Sequence, residues 1–243
     1  LDPIPTTGSI TVKVVDANTG TAISGASITG GKCGTTSRAG TVSFADMPFG
    51  TYSFTASKSG YLSNSASATI SLSAQSTTVT IELTPVGAIT VYVRDKATNA
   101  LISGASITGS GTGTTSSSGT VSFTNLQVGI YSYSASKSGY IRGSGSASDS
   151  TAGDSLSVTL YLTPTGSITV YVRDKATNAL ISGASITGSG SGTTNSSGSV
   201  SFGSLQIGTY SYTASKTGYI SGSGSASVTK AGDSLSVTMY LTP

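Results

Sequence analysis

The sequence contains no histidine, no tryptophan and a single cysteine, Cys33. Without histidine the chain lacks the commonest general base and the commonest side-chain ligand for transition metals, and a Ser-His-Asp triad is excluded. A single cysteine excludes a disulfide within the chain. These absences predict a protein that is not an enzyme and that holds no cofactor and no metal ion.

Charge is also scarce. Charged residues make up 9% of the chain and the formal net charge is +3, whereas about 25% of an ordinary soluble domain is charged. Lysine and arginine are scattered singly, so nucleic acid is not expected as a partner. No apolar run approaches the roughly 18 residues of a transmembrane helix, and no membrane span is expected. The chain opens at Leu1 without a Met, which is typical of a processed product or a segment of a longer polypeptide and would suit export.

A repeat with a period of 79 residues organises the chain, because Gly8 recurs as Gly87 and Gly166. Such a period is too long for a solenoid turn and suits a small independent domain. The junctions are short, and Pro85 and Pro164 stiffen them, so a semi-rigid array is expected. The repeat predicts an N-terminal extended segment and three tandem domains, with boundaries 1–7, 8–85, 86–164 and 165–243.

Within each repeat, apolar residues alternate with polar or aromatic ones, as Ile168, Val170 and Val172 do in the third copy. A period of two is typical of strands, and glycine and asparagine clusters separate the runs. The pattern predicts an all-β fold of three tandem Ig-like antiparallel β-sandwiches, each with six or seven short strands. The predicted core of the second repeat comprises Ile89, Val91, Val93, Val121, Phe123, Tyr131, Leu156, Val158 and Leu160.

The third repeat carries a recognisable set of motifs between residues 166 and 219. They are Asp174 at the end of the first strand, Ile181-Ser182-Gly183-Ala184, Gly198 before the strand of Phe202, Gly208-Thr209-Tyr210 and Lys216-Thr217-Gly218-Tyr219. With these motifs the sequence resembles the carboxypeptidase regulatory-like domain, in three copies over residues 8–243. The resemblance implies a transthyretin-like (prealbumin-like) sandwich. It implies no single function, because such modules are appended to enzymes, receptors and filaments alike.

A more distant resemblance is to the collagen-adhesin B-type repeats of surface pili. That family forms a Lys to Asn or Asp isopeptide bond promoted by a buried glutamate. The glutamate position is filled here by Ala56, Ala135 and Ala214, and the first-strand lysine occurs only as Lys13. We therefore expect no isopeptide crosslink.

Asp16, Asp95 and Asp174 recur at one place in each repeat. A structural calcium ion is conceivable there, since calcium takes several oxygen ligands, but only one carboxylate is present per copy. An Asx turn at the end of the first strand is the favoured interpretation. The glycine-rich pieces are interpreted as turns, because a phosphate cradle needs a helix directly after the loop.

Two positions are candidates for covalent modification. Cys33 lies in a loop where the other repeats hold Thr112 and Ser191, and it is either a quiet free thiol or one half of an intermolecular disulfide in an oxidising compartment. Asn195 begins the N-glycosylation sequon Asn195-Ser196-Ser197. The residues alone leave both alternatives open.

Four tyrosines are predicted on the solvent faces of the first and last strands: Tyr92, Tyr161, Tyr171 and Tyr240. The first repeat has Lys13 and Glu82 in their places, which suggests that the two side chains of each pair lie close together as cross-strand partners. Pairing within a domain is one interpretation. The other is an aromatic patch that joins subunits.

These features favour a structural subunit of an extracellular filament, a pilus-like fibre or a cell-surface stalk. The expected partner is the chain itself, in a head-to-tail homopolymer in which residues 1–7, anchored by Leu1 and Ile4, lie along the neighbouring copy. The alternative is an adhesin or carbohydrate-binding spacer of a larger secreted or surface protein, with cell-surface glycans as its partner.

Overall fold

A computed structural model describes residues 6–243, and every regular element in them is a β-strand. The all-β prediction is confirmed. No helix in this part of the chain is long and apolar enough to cross a membrane. The chain divides into two compact units, unit 1 with residues Leu1–Thr90, Ser122–Tyr131 and Ser146–Val158, and unit 2 with residues Val91–Val121, Ser132–Gly145 and Thr159–Pro243.

The strands recur with the period of the sequence repeat. Those of the first repeat are β1 (Thr7–Asp16), β2 (Ser27–Gly30), β3 (Gly34–Thr35), β4 (Thr41–Pro48), β5 (Gly50–Ser57), β6 (Tyr61–Leu62) and β7 (Asn64–Ile70). The next are β8 (Ser76–Asp95), β9 (Ser106–Gly109), β10 (Gly113–Thr114), β11 (Thr120–Gln127), β12 (Gly129–Ser136), β13 (Tyr140–Ile141) and β14 (Gly143–Asp149). The last are β15 (Ser155–Asp174), β16 (Ser185–Gly188), β17 (Gly192–Thr193), β18 (Ser199–Gln206), β19 (Gly208–Ser215), β20 (Gly222–Val228) and β21 (Ser234–Leu241).

In unit 1, the first repeat forms two sheets around an apolar core. One sheet has β1 between β4, which is antiparallel to it, and the first part of β8, which is parallel to it. The other has the antiparallel order β3-β2-β5-β7. Alternate side chains of both sheets meet in the core, where the rings of Phe44 and Phe54 stack with centroids 5.6 Å apart.

In unit 2, the third repeat has the same construction. The second part of β15 lies between antiparallel β18 and parallel β21, and the other sheet has the order β17-β16-β19-β20. Phe202 stacks on Tyr212 with ring centroids 4.9 Å apart. One pair per sandwich is thus parallel, because the first and last strands of a repeat run in the same direction.

The predicted inward face of the first strand of the second repeat is confirmed. Val91 and Val93 are fully buried, while Tyr92 between them is half-buried. The core tyrosine differs from the prediction, since Tyr133 is buried and Tyr131 is half-buried. The hydroxyl of Tyr131 donates a hydrogen bond of 2.7 Å to the backbone carbonyl of Gln127, which keeps this end of the side chain near the surface.

Both sequence junctions lie inside strands of 20 residues, β8 and β15, with no loop between repeats. Pro85 and Pro164 fit because a proline has the extended backbone of a strand and each lies where a short strand, β6 or β13, pairs with it. The domain boundaries at 85/86 and 164/165 stay a prediction.

Candidate assembly surfaces

The first junction is held by backbone hydrogen bonds on both sides of β8, and all of its residues belong to unit 1. The N–H of Val86 donates to the carbonyl of Gly60 at 2.8 Å, and the carbonyl of Val86 accepts from the N–H of Gly153 at 2.9 Å. One residue therefore bonds a loop of the first repeat on one side and a loop of the second on the other.

The second junction, which lies within unit 2, repeats this arrangement. Thr165 donates to the carbonyl of Gly139 at 2.7 Å and accepts from the N–H of Gly232 at 2.8 Å. Because the bonds are between backbone groups, the valine of the first junction and the threonine of the second serve equally well.

Glycine is required at these junctions for two reasons. Gly60 and Gly139 have φ of +84° and +82°, a region that other residues rarely adopt. A Cβ on Gly60 would lie 2.9 Å from the Cα of Gly153, and one on Gly139 would lie 2.6 Å from the backbone nitrogen of Gly232. The two loops of each junction therefore touch through their backbones.

The third repeat carries the same loop, and within residues 6–243 nothing packs against it. Gly218 corresponds to Gly60 and Gly139 and has φ of +85°, yet a Cβ built on it would meet nothing within 4 Å. We call the loop Lys216–Tyr219 the open junction loop. In the closed junctions, Gly153 and Gly232 are the residues that contact this loop. The first repeat holds Ala74 at their position, in a tight turn closed by hydrogen bonds between Ser71 and Ala74.

The tyrosines lie on the outer sheet faces, but the parallel register does not set them opposite each other. Tyr171 lies opposite Thr238, and Tyr240 lies opposite Arg173. In the first repeat, Lys13 lies opposite Thr80 in the same way. The first and last strands are neighbours as expected, and the parallel pairing places the two side chains of each pair diagonally, two positions apart.

Tyr240 belongs instead to an exposed, largely apolar row across the outer sheet of the third repeat, which we call outer row 3. It comprises Leu180, Arg173 and Tyr240, which are paired through adjacent strands, and Ile220, which pairs with Thr242 two residues beyond Tyr240. The corresponding residues of the second repeat form outer row 2: Leu101, Arg94, Tyr161 and Ile141, of which Leu101 pairs with Arg94 and Ile141 pairs with Thr163. The three apolar members of both rows are between 43% and 68% exposed. Both rows lie in unit 2.

Each recurrent aspartate forms the Asx turn that the sequence predicts. Asp16 Oδ1 accepts from the N–H groups of Asn18 and Thr19 at 2.9 and 3.0 Å, and its Oδ2 accepts from the Tyr61 hydroxyl at 3.1 Å. Burial opposes ionisation of Asp16, but these hydrogen bonds outweigh it and lower the pKa of its carboxyl group. Burial and the hydrogen bond to Asp16 raise the pKa of Tyr61.

The other repeats have the same pair, Asp95 with Tyr140 and Asp174 with Tyr219. The sequence shows both members at the repeat spacing but gives no sign that they touch. Within residues 6–243, no group of three or more cysteine, aspartate or glutamate side chains is placed to hold a metal ion. Through its hydrogen bond with the tyrosine, each aspartate links the end of the first strand to the junction loop of its repeat.

The two modification candidates are both at the surface. Cys33 is an exposed free cysteine between β2 and β3. Asn195 is exposed in a turn, where its Oδ1 accepts from the N–H of Ser197 at 2.9 Å and from that of Ser199 at 3.1 Å. Their modification stays a prediction. Leu1 and Ile4 lie outside the described residues.

Comparisons with known proteins give distant structural similarities. The Bacillus anthracis TIE protein is 18% identical with a TM-score of 0.37, over 97% of this chain and 51% of that one, so the chain spans about half its length. BcpA, the major pilin subunit of Bacillus cereus, is 11% identical with a TM-score of 0.37, over 96% and 99% of the two chains. A Streptococcal ancillary pilin is 13% identical with a TM-score of 0.34, over 97% and 99%.

These scores and identities are low, and the similarities carry no argument about function. A search of curated proteins found no match. A family model does match the first repeat, over residues 9–84, with the strands β1 to β7 and the first part of β8 in the two-sheet arrangement described above. The chain therefore contains a carboxypeptidase regulatory-like domain at residues 9–84.

Proposed function

We propose that this chain is a structural, non-catalytic subunit of an extracellular filament, pilus-like fibre or cell-surface stalk, whose copies join head to tail. The observation that supports the proposal is the open junction loop around Gly218. It repeats a loop that makes an internal junction twice, at Gly60 and at Gly139, and within residues 6–243 no other part of the chain packs against it.

The internal junctions suggest how two copies would join. Their hydrogen bonds link backbone groups, so they need little more from a partner than an extended segment and a turn. In the proposed contact, the open junction loop of one copy meets the first repeat of the next, near Ala74. Because the two surfaces differ, the contact does not close on itself and propagates as a fibre. Leu1 and Ile4 are the proposed anchors on the incoming copy.

A matched pair of glycine substitutions tests the contact. Gly218→Asn places a side chain on the open junction loop, at a positive φ that asparagine tolerates. Gly20→Asn is the control, because Gly20 also has positive φ and open space around it, and the other repeats hold Asn99 and Asn178 there. We expect Gly20→Asn to form fibres in electron micrographs and Gly218→Asn to stay folded but form none.

A second variant tests the incoming side of the contact. A chain that lacks residues 1–7 should keep the circular dichroism spectrum and melting temperature of the parent but fail to polymerise. Fibres of normal length from both this chain and Gly218→Asn would contradict the head-to-tail mechanism.

One observation favours the alternative, an adhesin or spacer that binds cell-surface glycans. A groove of about 510 Å³ in unit 1 is lined by polar groups that suit sugar hydroxyls, among them Asn18, Thr21, Lys58, Tyr61 and Thr151. The second repeat has Ala97 and Ala100 at the positions of Asn18 and Thr21. Binding to a glycan array that is lost in Asn18→Ala would support this function over the structural one.

A further inference from the structure

Exposed apolar side chains are ordinary when they are single, but the outer rows are sets that recur. Outer row 3 places Leu180, Tyr240 and Ile220 on the solvent face at 46%, 49% and 68% exposure. Outer row 2 repeats the same residue types at the same positions. Two equal surfaces in unit 2 therefore present an apolar strip with an arginine in it.

The arginines keep most of their hydrogen-bonding capacity. Arg94 and Arg173 each donate one Nη1 hydrogen bond of 2.8 Å, to the backbone carbonyls of Asn99 and Asn178. This bond folds each guanidinium over the neighbouring turn and fixes its place in the row. The remaining N–H groups are free to bind a carboxylate.

The first repeat has an acidic version of the row, which we call outer row 1: Ala22, Val15 and Glu82, which are paired through adjacent strands, and Leu62, which pairs with Thr84. Glu82 replaces the tyrosine and Val15 replaces the arginine. The Glu82 side chain is exposed, and within the described part of the chain its carboxylate has no hydrogen bond or ion pair. Lys13, on the neighbouring strand, lies opposite Thr80.

We propose that outer row 1 of one copy packs against outer row 2 or 3 of a second copy, with Glu82 paired to Arg94 or Arg173. Two arginine rows brought face to face would repel each other, whereas an acidic row against a basic one joins opposite charges across an apolar strip. The contact is lateral, so it goes beyond the end-to-end contact proposed above and requires no contact at Gly218. It sets which repeats of neighbouring copies face each other.

A charge exchange tests the pairing, in the Gly218→Asn background so that end-to-end contact does not contribute. Glu82→Arg should weaken the lateral dimer about tenfold, and Arg94→Glu with Arg173→Glu should do the same. Mixing the two variants should restore dimers, and added salt should weaken the parent dimer. Sedimentation velocity measures each association.

Two variants at positions where the repeats differ guard against effects on folding. Glu82→Tyr introduces the residue of Tyr161 and Tyr240 and should also lose the dimer. Lys13→Tyr introduces the residue of the other repeats on the same face and should leave the dimer intact. A parent chain that stays monomeric, a dimer insensitive to Glu82, or a mixture that fails to associate would each overturn the proposal, whatever the outcome for fibres.

Discussion

Two loops of unit 2 share one sequence pattern and one backbone conformation, but within residues 6–243 only one of them has a neighbour. The loop around Gly139 touches Gly232, whereas the loop around Gly218 faces open space. Their local sequences, Ser-Gly-Tyr and Thr-Gly-Tyr, give the same positive φ at glycine. Local sequence thus sets the shape of the loop, and a contact with a second loop, such as that of Gly232, is not needed for that shape.

The largest effect is expected from placing a methyl group on each loop. Gly218→Ala should cost about 1 kcal/mol of unfolding free energy, since only the backbone strain at positive φ is added. Gly139→Ala adds a clash with the backbone of Gly232 and should cost about 2–4 kcal/mol. Guanidinium unfolding of the two variants, at concentrations where the chain is monomeric, measures the difference. Equal losses would mean that the second junction contributes no stability.

The surroundings of the closed junctions show a second difference between repeats. Asp149, at the end of β14, is 3% exposed, and neither carboxylate oxygen has a hydrogen-bond partner among residues 6–243. Its Oδ2 lies 2.1 Å from the position that a Cβ on Gly87 would take. The corresponding residues are Ile70 and Val228, so the second repeat buries a polar group at a position that is aliphatic in the other two.

Asp149→Val should therefore stabilise the chain, by about 1–3 kcal/mol, because a buried polar group without a partner is replaced by an apolar one of similar size. The reverse change in the third repeat, Val228→Asp, should destabilise it by at least as much. The measurement is again the free energy of unfolding. A loss of stability in Asp149→Val would show that the carboxylate has a favourable interaction in solution.

The hydrogen bond from tyrosine to the Asx-turn aspartate should be the same in the closed and the open loop. In Asp95, burial opposes ionisation but the N–H groups of Thr98 and Ala97 and the Tyr140 hydroxyl prevail and lower the pKa. In Asp174, the N–H of Thr177 makes the largest contribution to the lowered pKa. Burial and the aspartate raise the pKa values of both tyrosines.

These shifts predict a plateau of stability at intermediate pH. A lowered aspartate pKa stabilises the fold above the ordinary value of about 3.9, and this stability is lost as the pH falls through the folded-state pKa. A raised tyrosine pKa stabilises it below about 10 and is lost as the pH rises further. Tyr140→Phe should cost about 1 kcal/mol on the plateau and reduce the loss in acid and alkali. An unchanged pH profile would contradict the assigned hydrogen bond.

The strand pattern could be predicted from sequence because burial leaves a mark on every second residue, as at Val91 and Val93. The direction of pairing could not, since parallel and antiparallel neighbours give the same alternation, and the offset of two positions between Tyr171 and Tyr240 follows from the parallel register. The glycine contact of Gly60 with Gly153 joins distant loops through backbone atoms, which no side-chain pattern records. The burial of Asp149 could have been predicted from the repeat, because the same position holds the aliphatic residues Ile70 and Val228 in the other two copies.

The smallest effect is expected at Cys33, on a loop outside both kinds of junction. Because the thiol is exposed and the same loop folds with Thr112 and Ser191 in the other repeats, Cys33→Ser should change the free energy of unfolding by less than about 0.5 kcal/mol. In an oxidising buffer, the parent chain should form a disulfide-linked dimer on a non-reducing gel if Cys33 joins subunits, and Cys33→Ser should not. A thiol that stays free at concentrations where the chain forms fibres would remove the intermolecular disulfide from the assembly and leave the backbone junctions and the outer rows as its contacts. A loss of several kcal/mol in Cys33→Ser would instead mean that the cysteine is buried or bridged, against the exposure found between β2 and β3.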